Sequence, residues 1–390
     1  MGIVSEGREK MKRWTILCLT LMLILSGCSL RMTTQEKLDL YGGGNIQIAG
    51  DGSVQIEQLA SNQVSQVITE RVEYSVQELG NLFLNMSPEE CDRAVEEYYA
   101  QYTSEAELEY AEQIGVAIPL EKGEATLSFA NHWMTFYGFP DASCYANTLY
   151  STERLLQPDV KGIMTPMDFR YRSLDMAFSR QELDGCTKEE AKADCDRIAQ
   201  AVGFILEESE CYTMDAESMN RIQQITGFPS LDTETDEAGN IVGELKPWKT
   251  EQGCYLFLYK KGIQGKVIES VASENVLFLI YHPEKKLVFA QWIQGVNKQE
   301  VLSEKTVTVI SGEEAVAQAQ LYFSQQNQSD IVINSARLTY AAPMLNYNAS
   351  TNQITMDPCW DISYQYVENG INVNDHVLIH AVTGSAIMQY

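Results

Sequence analysis

Histidine is scarce in this 390-residue chain, which has four: His132, His282, His376 and His380. None belongs to an HExxH pair, so the helix-borne signature of zinc proteases is missing. His376 and His380 stand four apart in a strand-like stretch. That spacing puts them on one face, about 13 Å apart, too far to share an ion. They read as two surface histidines, and the sequence offers no metal-ligand set. GxSxG and SxxK are also absent. The Gly42–Gly44 run follows Tyr41 but lacks the lysine of a phosphate loop. Motif-bearing serine, zinc and nucleotide enzymes are therefore disfavoured, although a triad of distant residues leaves no linear trace. No cofactor is implied.

Cations are scarce too. Lys and Arg number 28 against 54 Asp and Glu, a net charge of −26. Nucleic acid and anionic headgroups repel such a surface, so no nucleic-acid partner is expected. With so many carboxylates, no pair suited to glycoside hydrolysis can be singled out. Cysteine pairs are absent: there is no CxxC, which removes the usual zinc and thioredoxin-type readings. Apart from Cys18 and Cys28, the cysteines are Cys91, Cys144, Cys186, Cys195, Cys211, Cys254 and Cys359, odd in number and dispersed. Most read as free, buried, small apolar side chains, while any disulfide pairing stays open.

From Met11, Lys12 and Arg13 precede an uncharged stretch, Trp14 to Leu25, followed by Ser26, Gly27 and Cys28. Basic, apolar and small-residue segments in that order make a secretory signal. The apolar part is shorter than the roughly 20 residues a membrane-spanning helix needs. "LSGC", Leu25 to Cys28, resembles the lipobox of bacterial lipoproteins. The resemblance implies cleavage between Gly27 and Cys28 and a diacylglyceryl group on the Cys28 thiol. The membrane then becomes a partner through lipid, and the chain faces the extracytoplasmic side. Each buried CH₂ contributes about 0.8 kcal/mol to such an anchor. Cleavage removes four cations (Arg8, Lys10, Lys12, Arg13) and two acids (Glu6, Glu9), taking the net charge from −26 to −28.

The expected organisation is a signal peptide (1–27), a lipidated cysteine with a flexible tether (28–45), an N-terminal α+β region (46–180), a middle module (181–300) and a C-terminal module (301–390). "NIQIAGDGSVQIEQ" reads as a hairpin around Gly50-Asp51-Gly52. Residues 75–115 read as helical, with Ser87-Pro88-Glu89-Glu90 as a proline-started capping box. "ATLSFANHWMTFYGFP" reads as strand, stopped by Pro140. Thr187 and Glu190 predict a second capped helix with Ala191, Cys195, Ile198, Ala199 and Val202 on its apolar face and Gly203 as its stop. Ser311 and Glu314 predict a third, with Ala315, Ala319, Tyr322 and Phe323 inward. The last two share [S/T]-x-E-E-A, a suggestion of an internal repeat. Short strands follow each of them. Helix and then strand meander predicts an α+β fold with helices on one face of antiparallel sheets.

The segment from "SGEEA" through "PCWDISYQYV" to "VLIHAVTGSAIMQY" resembles the PepSY or YycI-type modules of extracytoplasmic bacterial proteins. The matching positions are Pro358, Trp360, Ala381, Thr383 and Gly384. His380 stands where that family often has Asp. The resemblance implies a binding or regulatory module, with an envelope protein or peptide as partner. The whole chain also resembles uncharacterised lipoproteins of low-GC bacteria. In the acidic loop "PSLDTETDEAGN", Asp232, Glu234 and Asp236 alternate as Ca²⁺ ligands do. Glu237 and Gly243 fall where an EF-hand needs Gly and Glu, so a solvated acidic turn is the expectation. The functional expectation is a lipid-anchored, non-catalytic binding or regulatory protein of the cell envelope. The alternatives are an acidic envelope hydrolase and a transporter's solute-binding lipoprotein. The helix and strand order lacks the regular alternation of two parallel lobes that the last would need.

Overall fold

The computed structural model describes residues 47–48, 54–71, 74–102, 118–130, 133–156, 173–204, 209–236, 241–269, 276–293, 297–326, 328, 330–341, 347–348, 351–368 and 370–387. Among the described residues the first elements are β1 (Gln47–Ile48), β2 (Gln55–Ile56), β3 (Gln63–Arg71), α1 (Val76–Leu84) and α2 (Pro88–Tyr99). There follow β4 (Ile118–Lys122), β5 (Ala125–Ala130), β6 (Trp133–Tyr137), α3 (Ser143–Tyr150) and α4 (Leu174–Ala177). Next come α5 (Lys188–Ala201), β7 (Ser209–Met214), α6 (Ala216–Thr226), β8 (Cys254–Lys260), β9 (Gly262–Ile263) and β10 (Lys266–Glu269). The remainder is β11 (Val276–His282), β12 (Lys286–Ile293), β13 (Asn297–Thr308), α7 (Gly312–Gln325), β14 (Val332–Ala341), β15 (Tyr347–Asn348), β16 (Gln353–Glu368) and β17 (Ile371–His380). The fold is α+β, with strands predominating.

The capped helices form where their caps predict. Ser87, Thr187 and Ser311 each accept from the backbone N–H three residues on, and Glu90, Glu190 and Glu314 return the bond to the cap backbone. Each pair satisfies two N–H groups that the first turn leaves without intrahelical partners. Ser75 and Glu78 do the same for α1.

One sheet is wholly antiparallel, in the order β4-β5-β6-β12-β11-β8-β7. Helices cover both its faces, not the single face expected. Leu79, Cys91, Cys195 and Ala199 pack with Tyr255, Phe257, Leu277 and Leu279 on one side. Tyr145, Leu149, Met219 and Ile222 pack with Leu256, Leu258, Phe278 and Ile280 on the other. Two covers explain why "CYLFLY" and "VLFLIYH" are unbroken apolar runs: with both faces inside, alternation has nothing to select for.

The second sheet follows the path β13-β3-β16-β14-β10-β9, with β1 and β2 joined to β14 and β15 and β17 to β16. Its strand β16 alternates on either side of 356–360, a stretch buried throughout. Ile354, Met356, Trp360, Ile362 and Tyr364 are buried. The last three pack with Ala315, Ala319 and Phe323 of α7. Asp357, Cys359, Asp361 and Ser363 point to the opposite face.

The expected 46–56 hairpin does not form. β1 and β2 each pair parallel with β14, Gln47 opposite Val332 and Gln55 opposite Ser335. Both therefore run the same way along one strand, and the bonds a hairpin would make internally go to β14. Both sheets also cross the expected boundaries. β4–β6 pair with β12 in the antiparallel sheet, and β3 pairs with β13 and β16 in the mixed one.

Candidate functional site

The chain passes from one sheet to the other between Lys260, the last residue of β8, and Gly262, the first of β9. The consecutive lysines here point to opposite faces, as strand geometry requires. Lys260 Nζ lies 3.1 and 3.2 Å from the two carboxylate oxygens of Glu269 on β10. The Lys261 amine is buried and donates to the carbonyl of Gly203, behind the C-terminus of α5. Its other neighbour is the Phe204 ring, 5.7 Å away. Burial pushes Lys261 down to about 7.

Glu269 begins a larger cluster. Its side chain is 2% exposed. Arg337 of β14 donates to it at 2.8 Å and stands 3.7 Å from Asp361. Asp361 of β16 lies 2.9 Å from Nδ1 of His376 on β17. Strand register explains the meeting: Arg337 is directly opposite Asp361, and His376 is opposite Ser363, one diagonal step away. Burial disfavours charge on His376, but the charge and hydrogen bond of Asp361 outweigh it, with Glu269 and Asp375 adding, and lift His376 to about 9. Burial pushes the Asp361 carboxyl up, but His376, Arg337 and Lys260 together hold it below its ordinary value. Burial likewise opposes charge on Lys260, and Glu269 outweighs it, leaving Lys260 above its ordinary value.

Ser363, opposite His376, completes a Ser, His and Asp set that sequence reading did not find. Its hydroxyl lies 2.6 Å from that of Ser335, making a serine pair rather than a nucleophile aimed at the imidazole. The polar strip runs on to Gln365 and Asn374, which are exposed and joined by a 2.6 Å hydrogen bond.

His376 is thus no simple surface histidine, and His380 does not join it. His380 Nδ1 accepts from the backbone N–H groups of Val382 and Thr383, at 3.1 and 3.3 Å, and Nε2 faces Asp357 at 3.7 Å. Gly384 completes the turn at φ +73°, a conformation that suits glycine. His282 does similar work: Nδ1 accepts from Glu284 and Lys285, and Nε2 faces the Glu251 carbonyl at 2.9 Å. His132 lies outside the described residues, as do Gly27 and Cys28.

Asp232, Glu234 and Asp236 do not converge with one another among the described residues. Asp232 pairs with Lys249 at 2.7 Å, and the Glu234 carbonyl accepts from Val242 at 2.8 Å. The segment is a turn tied to its neighbouring backbone. Cys91, Cys144, Cys186, Cys195, Cys211, Cys254 and Cys359 are all free thiols, and all but Cys211 are buried. A concavity of about 630 Å³ is lined in part by Asp215, Asn220 and Arg221. These polar groups are committed to structure: Arg221 to the carbonyls of Met176 and Ala177, Asn220 to Trp248, and Asp215 to the cap of α6.

No family model matches the chain, and no curated protein matches it. Among solved structures it is similar to an uncharacterized protein from Eubacterium rectale ATCC 33656, at 10% identity and a TM-score of 0.47. The likeness covers 92% of this chain and 99% of that one.

Proposed function

We propose that this chain is a lipid-anchored protein of the extracytoplasmic membrane face, held through Cys28, that binds an envelope protein or peptide without catalysing a reaction. The observation that supports binding is the division of labour across β14, β16 and β17. One face is closed by α7, while the other carries the strip from Arg337 and Asp361 through Ser363 and His376 to Gln365 and Asn374. The charged groups of that strip are matched to one another, and the Ser363 hydroxyl is turned to Ser335. That arrangement favours recognition over turnover. The capped helix packed on three antiparallel strands also supports the PepSY- or YycI-like reading of this end.

Metabolic labelling with a lipid precursor tests the anchor. The wild-type chain incorporates label and Cys28→Ala does not; equal labelling of both contradicts the assignment. Turnover of a wall polymer by the purified mature chain would replace the binding reading with the hydrolase one.

A further inference from the structure

Glu269, Asp361 and His376 come from three strands, β10, β16 and β17, yet each offers a donor atom within 4.8 Å of the other two. Two carboxylate oxygens and one imidazole nitrogen suit first-row divalent ions such as Zn²⁺ or Mn²⁺. We propose that these three side chains form a divalent-cation site in which the ion exchanges with the guanidinium of Arg337.

The two cations beside Glu269 are placed differently. Lys260 is 19% exposed, whereas Arg337 is 42% exposed and stands at the rim. Arg337 also spans the same two carboxylates an ion would bridge, 2.8 Å from Glu269 and 3.7 Å from Asp361. It therefore does by charge what a metal would do by coordination, and its exposed position lets it move into water. Imidazole ligates metal only when the ligating nitrogen carries no proton. A divalent ion at the two carboxylates would supply the positive charge that Arg337 withdraws. The exchange leaves neither carboxylate uncompensated, the costly outcome when one partner of a buried pair is removed. Lys260 stays beside Glu269, which limits the affinity. Serial acidic residues play no part; the carboxylates are fixed by strand register, and Glu269 is the most buried of the three side chains.

The test is calorimetric titration of the chelator-treated full chain with Zn²⁺ alone and with Mn²⁺ alone, alongside thermal unfolding. The wild-type chain is expected to take up one equivalent of at least one ion and to melt at higher temperature with it. Asp361→Asn and His376→Gln should weaken binding about tenfold or more. Arg337→Met, which removes the competitor, should tighten it by about tenfold. A purely structural arginine would not give tightening. Should His376→Gln not fold, the Arg337→Met titration decides alone. Failure of both wild type and Arg337→Met to bind either ion at millimolar concentration overturns the site. So does binding by His376→Gln as tight as wild type, or an Arg337→Met affinity no tighter than wild type.

Discussion

Asp361 on β16 and His376 on β17 meet at 2.9 Å, one diagonal step off their strands' register. The same step relates Asp357 to His380, at the looser distance of 3.7 Å. Two Asp–His couples thus lie along one polar face, and only the first sits beside Glu269 and Arg337.

The first couple makes stability depend on pH. His376 stands at about 9 in the folded chain, so its contribution is complete below about pH 6.5 and is lost as pH rises through about 9. Asp361 stands below its ordinary value, so its share is present above about pH 4 and lost as acid protonates it. Denaturant unfolding of wild type and His376→Gln should therefore differ most near pH 5–6, by on the order of 2–3 kcal/mol, and converge by about pH 10. A difference that is flat across that range contradicts the ion pair.

Lys261 has the opposite sign. Burial holds its folded value near 7, while the unfolded amine keeps its proton up to about 10.4. Wild type should gain stability relative to Lys261→Met, by a few kcal/mol, as pH rises from about 7 to about 10. The same pair of unfolding curves, compared across pH, shows whether the gap moves that way or stays constant.

Gly312 opens α7 against the buried Trp360. A Cβ there would lie 2.3 Å from Ile56 Cγ2 and 3.2 Å from the Trp360 ring. Gly312→Ala should cost about 1–3 kcal/mol by overpacking, against a general helix gain of less than about 1 kcal/mol. A net loss on urea unfolding is expected; an unchanged or stabilised variant would show that Ile56 and Trp360 yield freely.

The caps of α5 and α7 serve separate sheets. Thr187→Ala and Ser311→Ala should each cost about 1 kcal/mol. The double variant should cost about their sum, as independent sites do. Strong non-additivity in equilibrium unfolding would mean that the two helices share more than the sheet junction.

These caps were legible in the sequence because capping is a local bargain, settled within four residues. Cys195, Cys254 and Cys359 were likewise legible as buried thiols from the apolar residues around them. The α+β class followed from the order of helices and strands. The hairpin at 46–56 was misread because alternation and glycines specify strands and a turn but not a partner, and β14 supplied one. The second helical cover was missed because unbroken runs such as "CYLFLY" show that both faces are buried, not what buries them. The site was missed for a related reason. Asp361 and His376 are brought together by the β16–β17 register, and Glu269 arrives through β14. The usable signal was Asp357-x-x-x-Asp361, of which only Asp361 fell in a predicted strand, and His-x-x-x-His in the next strand, which an antiparallel register can pair. The four-residue spacing of the histidines was instead read along a single strand.

The most direct measurement is recovery of a partner from the chain's own envelope extract by the mature chain and by a Gln365→Lys/Asn374→Lys variant. Both positions are exposed at the open end of the strip, so the variant should fold as wild type does. The expected result is repeated recovery of the same envelope component by wild type and its loss with the variant. Equal recovery by both would place binding elsewhere on the chain. Recovery of nothing by wild type, with hydrolysis of wall polymer in parallel, would contradict the binding account itself.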